Sequence, residues 1–276
     1  MISLARGDYM QFLEWRKFLI PYERAVEELK IKFRSIRTEH TSLGEYSPVE
    51  FVTGRVKKIS SIIEKSRKLG IPMEEIETEM EDIAGIRIMC QFSEDIYTVV
   101  EYIRERDGKD IEIFYEKDYV NNFKDSGYRS YHMVIRYPIY TTLGYKKILA
   151  EIQIRTLAMN FWATIEHSLK YKYKRNIPEH VNERLKKAAD AASKLDLEMS
   201  EIRHEIRQAQ KMFEMKSNTV SAIIKKIQLL YRAGKNVEAT KYNEQFNQIW
   251  DTGDLIKLES FLEEINKCSE KYEVYE

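Results

Sequence analysis

Four stretches, Gly85–Phe92 (GIRIMCQF), Ile111–Tyr119 (IEIFYEKDY), Tyr131–Pro138 (YHMVIRYP) and Lys147–Thr156 (KILAEIQIRT), decide the fold. Each is short, rich in Ile, Val and Tyr, and largely alternates apolar with polar residues, the period-two pattern of a strand. Between the first two, Glu94 to Glu105 reads as helix, while GYRSY and TTLGYKK read as loop or hairpin connections. The order helix, strand, helix, strand, strand, strand, helix indicates an α/β or α+β sheet protein.

Upstream, Tyr9 to about Arg37 reads as helix, with Tyr22, Val26, Leu29, Phe33 and Ile36 forming an apolar seam and Pro21 opening or kinking it. EHTSLGEYSPVE is a polar connector, and Phe51 to Leu69 returns to helical spacing before Gly70 and Pro72. Downstream of Thr156 the chain is helical. Ala192, Leu195, Met199, Ile202, Ile206, Ala209 and Phe213 recur by three and four and want a partner helix. Val220 to Glu276 carries two further helical patterns separated by the turn signals AGKN and DTGD, an appended helical hairpin with no recognisable chemistry.

The 276 residues, 43% hydrophobic and 33% charged, suffice for one large or two small domains. Aromatic content of 12% excludes global disorder, and 45 basic against 45 acidic residues argue against one dominant nonspecific anion-binding surface. Two cysteines, Cys90 and Cys268, supply neither a disulfide framework nor a cysteine zinc site, which points to a reducing, cytoplasmic setting. Neither a transmembrane segment nor a signal peptide is legible, so no membrane partner is expected.

Strand alternation puts Glu151, Gln153 and Arg155 on one face and Ile152 and Ile154 on the other. If the strand after EDIAGIR is a neighbour, Asp82 and Glu151 converge, and two carboxylates can hold Mg2+ and leave room for nucleotide phosphates. By spacing alone, surface acids in salt bridges remain the plainer account. Lys57, Ser61 and Lys65 fall four apart, a stripe able to grip a polyphosphate, with Arg55 able to stack or fork onto phosphate. By pattern alone, the solvated face of an ordinary amphipathic helix, with Val52, Val56, Ile59 and Ile63 on its opposite face, is the plainer account. DYVNNFKDSGYRSYH combines Lys117, Lys124 and Arg129 with Tyr128, Tyr131 and His132 and suits a nucleotide, against sheet-edge packing. No GxxxxGK[ST] loop, GxGxxG, HxxxH or HExxH occurs, which removes P-loop and Rossmann readings.

The motifs RxKxxxSxxxK (Arg55–Lys65), DIAGIR (Asp82–Arg87), GYRSYH (Gly127–His132) and EIQIRT (Glu151–Thr156) occur in order, and together they resemble the synthetase domain of the RelA/SpoT family. The flanks FLIPYERAVEELK, SPVEFVTGR and MNFWATIEHSLKYKY make the chain similar to small alarmone synthetases of the RelQ type, from about residue 12 to about residue 214. The resemblance implies an α+β fold, a mixed sheet of about five strands flanked by helices and related to nucleotidyltransferases, with helical N- and C-terminal extensions. Its division would be 1–47 helical segment, 48–175 synthetase domain, 176–217 oligomerisation helix and 218–276 appended hairpin.

The resemblance also implies transfer of the β,γ-diphosphate of ATP to the 3′-hydroxyl of GTP or GDP, giving pppGpp or ppGpp and AMP. Arg55 and Arg87 would sandwich adenine, and Lys57, Ser61 and Lys65 would hold the ATP phosphates. Asp82 would bind Mg2+, with Glu151 as second carboxylate and base. Tyr128 would stack on guanine, with Lys117, Lys124, His132, Gln153 and Asn160 near the acceptor. No His is followed by Asp, and no room precedes residue 48 for a hydrolase domain, so synthesis without degradation is expected. A homotetramer with an allosteric alarmone cleft would follow from the family, with Arg34 and Phe51 at positions resembling the cleft, although Lys is frequent where Arg34 stands. Two alternatives stand beside this: a related synthetase acting on adenosine nucleotides or tRNA, and a single-stranded-RNA-binding regulator using Lys170, Lys172, Lys174 and Arg175. A third option makes 218–276 a partner-docking module.

Overall fold

The computed structural model describes residues 6–172 and 178–271. They form two compact units, one ending at Ser200 and the other starting at Glu201. In the first, β1 (Phe51–Val56), β2 (Ala84–Cys90), β3 (Glu112–Asp118), β4 (Tyr131–Thr141) and β5 (Gly144–Thr156) form one sheet in the order β1-β2-β5-β4-β3. β2 and β5 run parallel and the other neighbours antiparallel, so the sheet is mixed. β4 and β5 are the arms of one long hairpin, in register from Tyr131 opposite Ile154 to Thr141 opposite Gly144.

One face of the sheet is covered by α1 (Arg6–Ser42) and α4 (Ser93–Arg104). The seam Tyr22, Val26, Leu29, Phe33 and Ile36 is buried there, together with Ile96, Val99, Val100 and Ile103 of α4. The strands meet these helices with Ile86 and Ile88, Met133 and Ile135, and Ile152 and Ile154. Alternation therefore turns Arg87, His132, Glu151 and Gln153 to the opposite face. Fully burying one isoleucine stabilises by about 1.5–3 kcal/mol, and a one-residue slip would exchange the isoleucines for charged groups, so the register is pinned.

The helical spacing expected from Phe51 to Leu69 holds only in its second half. Phe51–Val56 is an edge strand paired with β2, and α2 spans Ile59–Leu69. Val52 reaches the core from the strand, and α2 buries Ile62 and Ser66 in place of Ile63. Gly54 explains why β1 wins: a Cβ there would stand 2.8 Å from Val26 Cγ1 and 2.9 Å from Ile86 Cδ1, so only glycine lets α1 lie this close to the strand. α1 covers the edge of β1, since Arg34 Nη2 donates to the Val52 carbonyl at 3.2 Å and Arg37 pairs with the Glu50 carboxylate at 3.0 Å.

A short helix, α3 (Ile76–Glu79), delivers Ile76 and Met80 to the core ahead of β2. After β5 come α5 (Leu157–Lys172) and α6 (Glu179–Arg232). Trp162 and Ala163 of α5 pack with Ala189 of α6, and Trp162 Nε1 donates to the Leu185 carbonyl at 2.9 Å.

The second unit holds the end of α6, α7 (Asn236–Thr252) and α8 (Leu255–Lys271). It has its own core of Ile223, Ile227, Leu230, Tyr242, Phe246, Leu258, Phe261 and Ile265. α6 is unbroken across 217/218, so the two turn signals separate three helices in place of the hairpin expected. The earlier seam residues Leu195, Met199, Ile202, Ile206 and Phe213 are exposed. Where the spacing continues as Val220, Ile223, Ile227 and Leu230, α7 and α8 cover it. Among the described residues no helix is long and apolar enough to cross a membrane.

Candidate active site

The open face of the sheet carries a polar row set by strand register. Thr53, Arg87, Gln153, His132 and Lys117 lie side by side on β1, β2, β5, β4 and β3. In the neighbouring row Arg55 and Glu151 flank Gly85, where the absence of a side chain leaves space between them. A cavity of about 270 Å³ opens there, lined by Thr53, Arg55, Asp82, Arg87, Glu151 and Gln153.

Asp82 stands just before β2 and is held from two sides, by Lys57 Nζ at 2.6 Å and Lys65 Nζ at 2.9 Å. Burial pushes its pKa up, but the Lys57 hydrogen bond and the charges of the two lysines outweigh burial and hold it below the ordinary carboxylate value. Lys57 lies between β1 and α2, not on a helix, and its backbone N–H donates to the Ile83 carbonyl at 2.8 Å. Ser61 and Lys65 sit on α2, whose first turn carries no acidic residue and no side-chain cap. The stripe expected on one helix is thus assembled from a strand end and a helix start, and the open helix terminus favours an anion.

Arg87 Nε donates to Gln153 Oε1 at 3.3 Å. Burial, then repulsion from Arg155 and Arg55, lowers the Arg87 pKa, so three guanidiniums crowd this part of the site. On the other side, Glu151 Oε1 lies 2.9 Å from His132 Nδ1, and Gln153 Nε2 donates to Glu151 Oε2 at 2.7 Å. Burial raises the Glu151 pKa and Asp82 adds to that, yet the His132 and Gln153 contacts leave it below its usual value. Two ionised carboxylates therefore face one cavity.

Tyr128 Oη lies 2.7 Å from His132 Nε2, and Lys124 Nζ stands 5.2 Å from the Tyr128 ring centroid. Lys117 Nζ lies over the Tyr115 ring at 4.4 Å. Asn160, on α5, has a buried Oδ1 with no hydrogen-bond partner. Tyr128 is held from behind, because Gly127 runs under α6 and Arg129 Nη2 pairs with Asp190 at 3.4 Å. The structure brings Arg55, Lys57, Lys65, Asp82, Arg87, Glu151, Gln153, His132 and Tyr128 into one connected surface. Arg34 and Phe51 lie apart from it on the β1 edge, where Arg34 bonds the residue next to the exposed Phe51.

The residues fit a magnesium ion. Asp82 Oδ1 is buried outside hydrogen-bonding geometry, with only the Lys65 ion pair beside it, and it shares the cavity with the Glu151 carboxylate. Two hard oxygens with room for phosphate oxygens is how Mg2+ is bound beside nucleotides. Among the described residues no group of three potential ligands occurs, so substrate oxygens would have to complete the shell.

Arg155 and Ser130, bonded to each other with Arg155 also reaching Tyr128 and Gln153, and Tyr115, under Lys117 and bonded to Glu81, adjoin these residues without having been assigned a role from sequence. Arg155 shares the face of Glu151 and Gln153, and that alternation was the available signal. Tyr115 donates to the Glu81 carboxylate, a long-range contact with no sequence signature. Of the cations considered for RNA, Lys170 is paired with Glu166; the side chains of Lys172, Lys174 and Arg175 lie outside the described residues.

A model of the region found in RelA/SpoT proteins matches residues 54–176. The GTP pyrophosphokinase YjbM of Bacillus subtilis is 58% identical over 203 residues, covering 74% of this chain and 95% of that protein. Among solved structures, small alarmone synthetase 1 from Bacillus subtilis bound to its product pppGpp matches with a TM-score of 0.67 and 58% identity, over 70% of this chain and 98% of that one. The same synthetase bound to AMPCPP matches with a TM-score of 0.61 and 55% identity, over 71% and 98%.

Proposed function

The chain belongs to the RelA/SpoT family, and from that premise we propose that it is a GTP pyrophosphokinase. It moves the β,γ-diphosphate of ATP to the 3′-hydroxyl of GTP or GDP, yields pppGpp or ppGpp with AMP, and does not hydrolyse the product. The observation that carries this reading is the single cavity in which Asp82, tied to Lys57 and Lys65, faces Glu151, tied to His132 and Gln153. One half is built for phosphates and the other for a proton.

Lys57, Ser61, Lys65 and the start of α2 receive the ATP phosphates, and Arg55 and Arg87 hold adenine between them. Lys57 and Lys65 leave Asp82 for the phosphates as the nucleotide enters, so their positive charge is in place before transfer. Asp82 and Glu151 would hold Mg2+, which would supply neutralisation of phosphate charge when bound. Tyr128 stacks on guanine after Lys124 moves off its ring, with Lys117, His132, Gln153 and Asn160 around the acceptor. Glu151 is ionised and accepts the 3′-hydroxyl proton, and holding both nucleotides in line accounts for most of the acceleration.

Residues 48–175 carry the reaction in this reading. The α1 segment 1–47 supports the sheet, 176–217 mediates assembly into a homotetramer, and 218–276 is an appended module whose first helix is the continuation of α6. The exposed seam from Leu195 to Phe213 supports assembly, because contiguous apolar surface of this kind is normally covered. A cytoplasmic location and an alarmone site near Arg34 and Phe51 complete the proposal.

Anion-exchange analysis of products from Mg2+, ATP and GTP or GDP tests it. Alarmone with equimolar AMP is expected from the wild type, and none above background from Asp82→Asn or Glu151→Gln at unchanged thermal stability. Full activity in either variant would overturn the assignment.

A further inference from the structure

Arg155 is the one fully buried Lys or Arg side chain among the described residues, 4% exposed. A buried guanidinium normally has a carboxylate beside it, yet this one donates only to neutral oxygens. Nη2 donates to Tyr128 Oη at 2.5 Å and to Gln153 Oε1 at 2.7 Å, and Nε donates to Ser130 Oγ at 3.2 Å. The guanidinium also lies 5.0 Å from the Tyr128 ring centroid.

A guanidinium can only donate, and that one fact sets the direction of every neighbouring bond. On one arm Gln153 must turn its Oε1 to Arg155, which also serves Arg87, so its Nε2 is committed to Glu151. On the other arm the Tyr128 oxygen already accepts from Arg155, so its O–H hydrogen is free for His132 Nε2, and the imidazole hydrogen sits on Nδ1, toward Glu151. The two arms form a closed ring, Arg155 to Gln153 to Glu151 to His132 to Tyr128, with Arg155 as the source of both arms and Glu151 as their common acceptor.

We propose that Arg155 is the positioning residue of the acceptor side, fixing the Gln153 amide, the His132 tautomer and the Tyr128 hydroxyl in the one arrangement that receives the guanosine nucleotide. This rests on the pyrophosphokinase reading above. It acts chiefly on the acceptor half, because Lys57 and Lys65 are oriented by Asp82 and the ATP side meets Arg155 only through the longer 3.3 Å bond of Arg87 to the shared Gln153 oxygen. Without the guanidinium, the amide can turn over and the hydroxyl can reverse, so recognition of the acceptor loses its order while the ATP side keeps its own.

The test is calorimetric titration of wild type, Arg155→Met and Arg155→Lys with GDP and, separately, with a non-hydrolysable ATP analogue, alongside 15N NMR of the His132 imidazole. For Arg155→Met, GDP affinity falls by about tenfold or more, as expected for losing charge-assisted bonds, while ATP-analogue affinity changes less than about threefold, which also certifies the fold. Arg155→Lys, keeping the charge but lacking the fork, falls between. The wild-type His132 shows the Nδ1–H form, and Arg155→Met shows a mixture. Equal loss for both nucleotides, unchanged GDP affinity in Arg155→Met, or an unchanged single His132 form would overturn the inference alone. Failure of the wild type to bind GDP would instead overturn the reading of the site, and the inference with it.

Discussion

Gly127, in the loop before β4, lies against α6, and replacing it by alanine has a cost that the geometry sets. Its φ is +86°, a region that L residues enter at about 1–2 kcal/mol, and a Cβ there would stand 2.5 Å from the Ala189 Cβ. Both atoms belong to short side chains that cannot swing away, so α6 or the loop must move, at about a further 1–3 kcal/mol by the usual cost of overpacking. The sum is about 2–5 kcal/mol. Gly70 is the matched control: φ is +69° at the end of α2, and nothing lies within 4 Å of its Cβ position. Gly70→Ala is expected to cost about 1 kcal/mol, the backbone part alone. Urea unfolding followed by Trp162, which packs against Ala189, reports both variants once Trp15 and Trp250 are replaced by Phe. Equal losses for Gly127→Ala and Gly70→Ala would refute the close-approach argument. A Gly127→Ala protein with its full stability but a weakened acceptor KM would refute the claim that the loop and α6 are rigidly joined.

Tyr128→Ala should raise the KM for GTP or GDP by at least tenfold and that for ATP by less than about threefold, given base stacking of about 1–3 kcal/mol; steady-state kinetics with each nucleotide varied will show it, and equal rises would exclude stacking on the acceptor. Asp196 is 6% exposed and accepts from Thr156 Oγ1 at 2.6 Å. Burial raises its pKa to about 6 against the smaller opposing effects of Thr156 and Arg129. The folded state thus holds a proton that the unfolded chain releases near pH 4, so this group's contribution is full below pH 4 and is lost as pH rises through about 6, by about 3 kcal/mol at most. Asp196→Asn, which retains an acceptor for Thr156, should therefore be more stable than wild type at pH 8 and equal to it near pH 3.5; urea midpoints against pH measure the difference, and parallel curves would contradict it.

Strands β2, β3, β4 and β5 were legible because alternation and β-branching coincide in them, and the polar triple of β5 followed from the same alternation. β1 was misread for a physical reason: Val52, Val56, Ile59 and Ile63 satisfy a helical spacing, while the decisive fact, that α1 presses on Gly54, is tertiary. A glycine between two valines beside a threonine was the local hint. The motifs singled out both carboxylates and the cations that the structure places around one cavity, but they gave no view of Lys57 closing on Asp82 across 25 residues, nor of the ring through Arg155. α6 was legible as a heptad seam, while its continuity into the second unit was hidden by reading the seam and the tail as separate patterns.

The parallel pairing of β2 with β5 has a consequence for how the protein is made. The β4–β5 hairpin can close as soon as its tip is synthesised, because its partners are near neighbours in the chain. Arg87 and Gln153, by contrast, meet across 66 residues, and pairing at such separation is slow because loop closure precedes any reward. Arg87 reaches Gln153, and Asp82 comes to share a cavity with Glu151, only when β2 and β5 are paired. The cavity therefore has no existence apart from the β2–β5 pairing, since its lining is divided between segments that are distant in the chain.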